Sequence, residues 1–295
     1  MPLTRRELIA GAAIAMEAQA ATPQYKIIDP HVHVWKTDLK YPWAAETTKP
    51  PKEDATPEML LELMKANGVS HTVLVQYIGY RWDNSFTHDT FRRYPQYFQG
   101  VARVNPNDPA APDHASKLAE QGFKGIRLSP SANADGEWIK GPLMAPLWKR
   151  IEQLKLPMLM LTTTPRLPDV EKLLDKYTDL TMVIDHMADA PVGRPEELEK
   201  LLAFKRYPKV FVKISHTWTV SKQEFPFADT FENVKRLHAA FGPNRMMWGT
   251  DWPVCLAHTT YPRTLQVVRD EMKFLNEEDR HWILSKTVER IWKFA

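Results

Sequence analysis

The chain has 295 residues, of which 43% are apolar and 25% charged, and a formal net charge of +3. That length and balance support one large domain with a sizeable core, and no long basic run calls for nucleic acid or an acidic membrane as partner, which leaves a small molecule. Cys255 is the single cysteine, so an intrachain disulfide is excluded; no nearby base pattern marks it as a nucleophile, and it reads as structural.

The first feature in chain order is an export signal over residues 1–20. Thr4-Arg5-Arg6-Glu7 is a twin-arginine sequence, followed by an apolar run from Leu8 to Met16 and a small-x-small cleavage pattern, Ala18-Gln19-Ala20. The run is shorter than the roughly 20 residues that span a bilayer, so the expectation is periplasmic delivery with no stable membrane anchor. Without a working signal the protein would stay cytoplasmic. Residues 21–295 are expected to form one domain.

From Tyr25 onward short apolar runs alternate with amphipathic stretches. Strands are expected at Lys26 to Asp29, Thr72 to Gln76, Phe98 to Val104, Gly125 to Leu128, Pro157 to Leu161, Thr181 to Asp185, Val210 to Ile214 and Met246 to Gly249. Between them, Pro57 to Ala66, His114 to Gln121, Leu143 to Lys155, Leu167 to Tyr177, Glu196 to Lys205 and Thr230 to Phe241 carry apolar residues at helical spacing. A last helix, Glu277 to Trp292, is expected to pack across the barrel wall. Repeated strand–helix units in about 250 residues predict a (β/α)8 TIM barrel, whose functional groups stand at the C-terminal ends of the strands. An open doubly wound sheet would show a glycine-rich first turn, and none is present.

Polar residues fall at those strand ends. In Asp29-Pro30-His31-Val32-His33 the two histidines are two apart on an extended segment and share a face, so both imidazoles can reach one ion or one substrate oxygen. His186 ends the sixth strand and Asp251, in Gly249-Thr250-Asp251-Trp252-Pro253, the eighth. Arg127 on the fourth strand is placed to pair bidentately with a substrate carboxylate, or else to bridge to a neighbouring loop. Gln76, Lys213 and His216 are further candidates for substrate contact, although the direction of Lys213 within its strand is open. Tyr77, Tyr80, Trp82, Trp218 and Trp252 could line a pocket or simply pack.

Together the Asp-x-His-x-His opening, Phe123-Lys124-Gly125-Ile126-Arg127-Leu128, Ile184-Asp185-His186-Met187, Phe211-Val212-Lys213-Ile214-Ser215 and Trp248-Gly249-Thr250-Asp251-Trp252-Pro253 resemble the amidohydrolase superfamily. Within it the chain is similar to the branch of lactone hydrolases (amidohydrolase-related family 2) that includes 2-pyrone-4,6-dicarboxylate lactonase, sulfomuconolactone hydrolase and sugar-acid lactonases. Many metal hydrolases of the superfamily carry a histidine at the end of the fifth strand, where this chain has Leu159-Met160-Leu161-Thr162-Thr163-Thr164. Arg127 cannot replace a bridging lysine. The resemblance therefore implies either one divalent ion, Zn2+ first, on His31, His33, His186 and Asp251, or a metal-free site in which the same imidazoles bind substrate directly. It implies a lactone hydrolase acting on a carboxylated or polyhydroxylated ring, with Asp251 as the base for water and the histidines polarising the carbonyl. The alternatives are a metal-dependent decarboxylase of an aromatic or unsaturated acid, disfavoured by the missing fifth-strand histidine, and a non-catalytic periplasmic binding barrel.

Overall fold

The computed structural model describes residues 25–129 and 138–294, so the expected export signal lies outside the described residues. Eight parallel strands follow one another in sheet order: β1 (Ile27–Val32), β2 (Val69–Val75), β3 (Phe98–Arg103), β4 (Ile126–Leu128), β5 (Met158–Met160), β6 (Met182–Ile184), β7 (Val210–Lys213) and β8 (Met246–Met247). They form a nearly closed (β/α)8 barrel. The seam between β8 and β1 is closed beyond the regular strands, where Asp251 N donates to His31 O at 2.8 Å and His33 N to Trp252 O at 2.7 Å. The Asp29 carboxylate reinforces it, accepting from Thr250 N at 3.1 Å and Thr250 Oγ1 at 2.6 Å. Gly249 suits this close seam, because a Cβ there would stand 3.0 Å from His31 Cβ and push it back by a few tenths of an ångström. Asp29 is thus a structural tie between strands; burial pushes its carboxyl up to about 6 against the hydrogen bonds it accepts.

The longer helices between strands are α1 (Pro57–Asn67), α2 (Ser85–Arg93), α3 (Ala111–Glu120), α4 (Met144–Gln153), α5 (Leu167–Leu174), α6 (Pro195–Leu202) and α7 (Phe231–Phe241). The first shows how local chemistry sets the bounds. Thr56 caps it, its hydroxyl accepting from Met59 N at 3.4 Å, and Pro57 supplies a preset φ in the first turn. Leu60 and Met64, four apart, bury one face, and Gly68 ends the helix at φ 68° in the left-handed region. No helix is expected from sequence over α2. It buries Phe86, Thr87, Thr90 and Phe91, so half of its inward face is threonine and carries no apolar signal.

The barrel interior is stratified. Alternate strand residues Ile28, Val73, Val101, Leu159, Val183, Phe211 and Met247 form a fully apolar floor. Val288 of the last helix and Trp292 just past its end join that floor, and Trp292 Nε1 donates to Lys124 O at 3.0 Å. The C-terminal helical stretch, residues 277–291, lies against the β8–β1 wall through Ile283 and Leu284, as expected, and its end also stops the bottom of the barrel. Each such buried side chain contributes roughly 1.5–3 kcal/mol relative to exposure. The charged residues of the site stand above this floor.

Candidate active site

Two residues on from the floor, the inward face of several strands turns polar. Asp185 follows Val183 at this spacing, Lys213 follows Phe211, and Arg127 points inward from β4. Asp185 Oδ2 accepts from Arg127 Nε at 3.0 Å, and Asp185 Oδ1 lies 3.1 Å from Lys213 Nζ. Lys213 Nζ is also 2.9 Å from His31 Nδ1. All four side chains are buried. Burial alone would raise the Asp185 carboxyl, but Lys213, His31 and Arg127 bring it well below the usual range. The same burial lowers Lys213 and takes His31 down to about 3, so His31 is neutral.

This layer corrects two sequence expectations. Arg127 does not stand free at the mouth to meet a substrate carboxylate, because its inward register buries it against Asp185. Lys213 likewise points under His31, within the barrel. A third correction concerns Gln76. Val73 and Val75 face the lumen, so the next residue faces the helices, where Gln76 Nε2 donates to Asp83 O at 2.6 Å and its Oε1 accepts from Thr87 Oγ1 at 2.6 Å. Tyr77 is the residue that β2 brings to the opening, its ring centroid 5.7 Å from that of His33.

Above the charged layer His31, His33, His186, His216 and Asp251 come together. Asp251 Oδ1 lies 3.4 Å from His31 Nε2 and 3.1 Å from His33 Nε2, while Oδ2 is 2.6 Å from His216 Nε2. His216 Nδ1 is 3.3 Å from Asp189 Oδ1, and its ring stacks on His186 at 3.6 Å and 8°. His186 Nδ1 in turn lies 2.8 Å from Ser215 Oγ. Strand ends place these groups by an unusual backbone. His186, Met187, Ala188 and Asp189 run at φ 56°, 54°, 53° and 46°, with His216 at 64° and Asp251 at 55°. Left-handed conformation costs roughly 1–2 kcal/mol for such residues, strain of the kind that concentrates at functional sites.

The electrostatics follow from these contacts. Burial alone would depress the His216 imidazole, but Asp189 and Asp251 override it and hold it up at about 9. Burial would raise Asp251, yet the hydrogen bond from His216 and the imidazoles packed around it bring it well below the usual carboxylate range. At neutral pH this pair is imidazolium and carboxylate. His186 stays neutral, depressed by burial and by His216.

Asp185, Asp189 and Ser215 were not assigned roles from sequence. Two-residue periodicity from Val183 could have marked Asp185 as inward; Asp189 reaches the site only through the left-handed turn, which no glycine announces. A further unforeseen cation is Arg103, buried on β3, whose Nη1 donates to Ser129 Oγ at 3.1 Å.

The family model described as amidohydrolase matches residues 28–294. The chain belongs to the amidohydrolase family. L-fucono-1,5-lactonase of Burkholderia ambifaria is 30% identical over 233 residues, covering 77% of this chain and 80% of that protein. 4-Sulfomuconolactone hydrolase of Hydrogenophaga intermedia is 26% identical, covering 76% and 74%. In fold, an amidohydrolase from Burkholderia multivorans with bound zinc superposes with a TM-score of 0.77 at 23% identity, over 92% of this chain and 100% of that one.

In this amidohydrolase the site can be tested for a divalent ion on its own geometry. His31, His33 and Asp251 offer ligand atoms within 4.8 Å of one another, all buried. Donors about 2.0–2.1 Å from a tetrahedral ion stand about 3.3 Å apart, which matches the 3.4 and 3.1 Å separations of Asp251 Oδ1 from the two Nε2 atoms. His33 Nδ1 lies 2.7 Å from Val75 O, which only accepts, so Nδ1 carries the proton. In that tautomer the Nε2 lone pair faces a carboxylate oxygen at 3.1 Å, an opposition that a bound cation resolves. His31 Nε2 and Asp251 Oδ1 are also without a hydrogen-bond partner. These residues fit one ion.

The His216 pair makes a pH prediction. Its folded pKa is raised from 6.5 to about 9, so the ion pair with Asp251 is complete below the unfolded value and is lost as pH rises through about 9. Activity should therefore fall along an alkaline limb near that pH, and His216→Asn should remove the limb together with much of the rate. A wild-type pH–rate profile that stays flat well above pH 9 contradicts this assignment.

Proposed function

We propose that the protein hydrolyses a lactone bearing carboxylate or hydroxyl substituents. The observation that carries this is the Asp251 carboxylate, held ionised by His216 and surrounded by His31, His33 and His186 at the strand ends. The naming of the similar proteins as a fuconolactonase and a sulfomuconolactone hydrolase supports the same chemistry.

The chain's own groups account for each proton. Asp251 takes one from water, and the oxygen left behind attacks the lactone carbonyl carbon. His31 is neutral and, with Lys213 donating to Nδ1, carries its N–H on Nε2 beside Asp251; His186 carries its own on Nε2 when Ser215 donates to its Nδ1. These donors suit the tetrahedral oxyanion. Collapse breaks the ring C–O bond, and the departing alkoxide recovers the proton from Asp251. The hydroxy acid product then ionises, releasing one proton per turnover at neutral pH. When bound, an ion on His31, His33 and Asp251, zinc by the preference of imidazole and carboxylate donors, would supply Lewis acidity at the carbonyl.

The test is a panel of sugar-acid and dicarboxylate lactones assayed by proton release, alongside aromatic acids assayed for carbon dioxide. Proton release on a lactone is expected. Carbon dioxide from an acid, or turnover of neither set, overturns the proposal.

A further inference from the structure

The hydrogen bonds of His31 carry a consequence for the metal. Its Nδ1 has two neighbours of opposite character, Lys213 Nζ at 2.9 Å and Asp185 Oδ1 at 3.3 Å. An ammonium only donates and a carboxylate only accepts, so Nδ1 can satisfy one of them at a time. If Nδ1 bears the proton and gives it to Asp185, Nε2 is a lone pair open to an ion, the arrangement in which a carboxylate orients a ligating histidine. If Lys213 donates, Nδ1 is the acceptor and the proton sits on Nε2, facing Asp251 Oδ1 at 3.4 Å. A nitrogen carrying hydrogen cannot ligate. The closer contact in this structure is the one to Lys213.

We propose that Lys213 sets how tightly this site holds a metal, by fixing the His31 proton on the nitrogen that an ion would need. This rests on His31, His33 and Asp251 being the ligand set, but not on the identity of the substrate. Two observations separate it from a purely structural role for the lysine. Asp185 already receives Arg127 on Oδ2 at 3.0 Å, so its charge has a counter-ion without Lys213. The ammonium also adds a like charge next to a ligand in a buried layer, which opposes a divalent cation in the same direction as the tautomer does.

The experiment uses the full chain in its zinc-free state, titrated with zinc against a chromophoric chelator. At most one equivalent should bind, and Lys213→Met should bind about 10- to 100-fold more tightly than wild type, the range typical of changes to groups that support a ligand. Nitrogen NMR of 15N-histidine protein, with His31 assigned by its loss in His31→Asn, should show the proton on Nε2 in wild type and on Nδ1 in the variant. A change of charge alone would not move it. Folded Lys213→Met with unchanged or weaker zinc affinity overturns the proposal. So does a wild-type His31 already protonated on Nδ1, a measurement that needs no folded lysine variant. Zinc binding that survives His33→Ala would remove the ligand set itself. None of these readouts uses a lactone, so they fail separately from the hydrolase assignment.

Discussion

Asp251→Asn is expected to lower kcat by about two to four orders of magnitude while KM changes far less. Asparagine keeps the size and one oxygen of the side chain but cannot take a proton from water. It also strips His216 of one of the two carboxylates that hold its imidazole up, so the alkaline limb should move down in the same variant. The fall should be measured at matched zinc content, so that a lost ligand is not mistaken for a lost base, and with circular dichroism to establish folding. A folded Asp251→Asn enzyme with near wild-type kcat would exclude this residue as the base.

The candidate base was legible in the sequence because a buried apolar run, Met246 to Trp248, is followed within three residues by a carboxylate beyond the strand terminus. The same logic places His31, His33 and His186, which the structure brings within one cluster. All eight strands could be anticipated because lumen and helix-facing positions are both buried, which makes each strand a short apolar run. What the runs do not carry is phase. Gln76 and Arg127 each fall near a strand end, yet one faces the helices and the other the lumen, and a single-residue offset decides between them. The strand bounds moved for a related reason. β8 is only Met246–Met247, with the seam beyond it made by Asp29, Thr250 and the backbone of His31 to His33. The left-handed residues at His186 and His216 were invisible, since no glycine or asparagine marks them.

Asp185→Asn is expected to cause the largest loss of stability of any single change in the site, about 3–5 kcal/mol. Arg127 and Lys213 both rest on this one buried carboxylate, so its removal leaves two cations in the lumen without their counter-ion. Arg127→Met should cost less, because Lys213 still faces Asp185 and the layer stays balanced. That ordering replaces the expectation drawn from sequence, in which Arg127 acts mainly through KM for a carboxylated substrate. Adding Arg127→Met to Asp185→Asn should recover part of the loss, since the double variant buries one unpaired cation instead of two; neighbours in one charge network are not additive. Denaturant unfolding of the three variants measures this directly. If Asp185→Asn falls within about 0.5 kcal/mol of wild type, as an isolated surface change would, or if Arg127→Met is the more damaging single change, Asp185 is not the charge that holds the layer together.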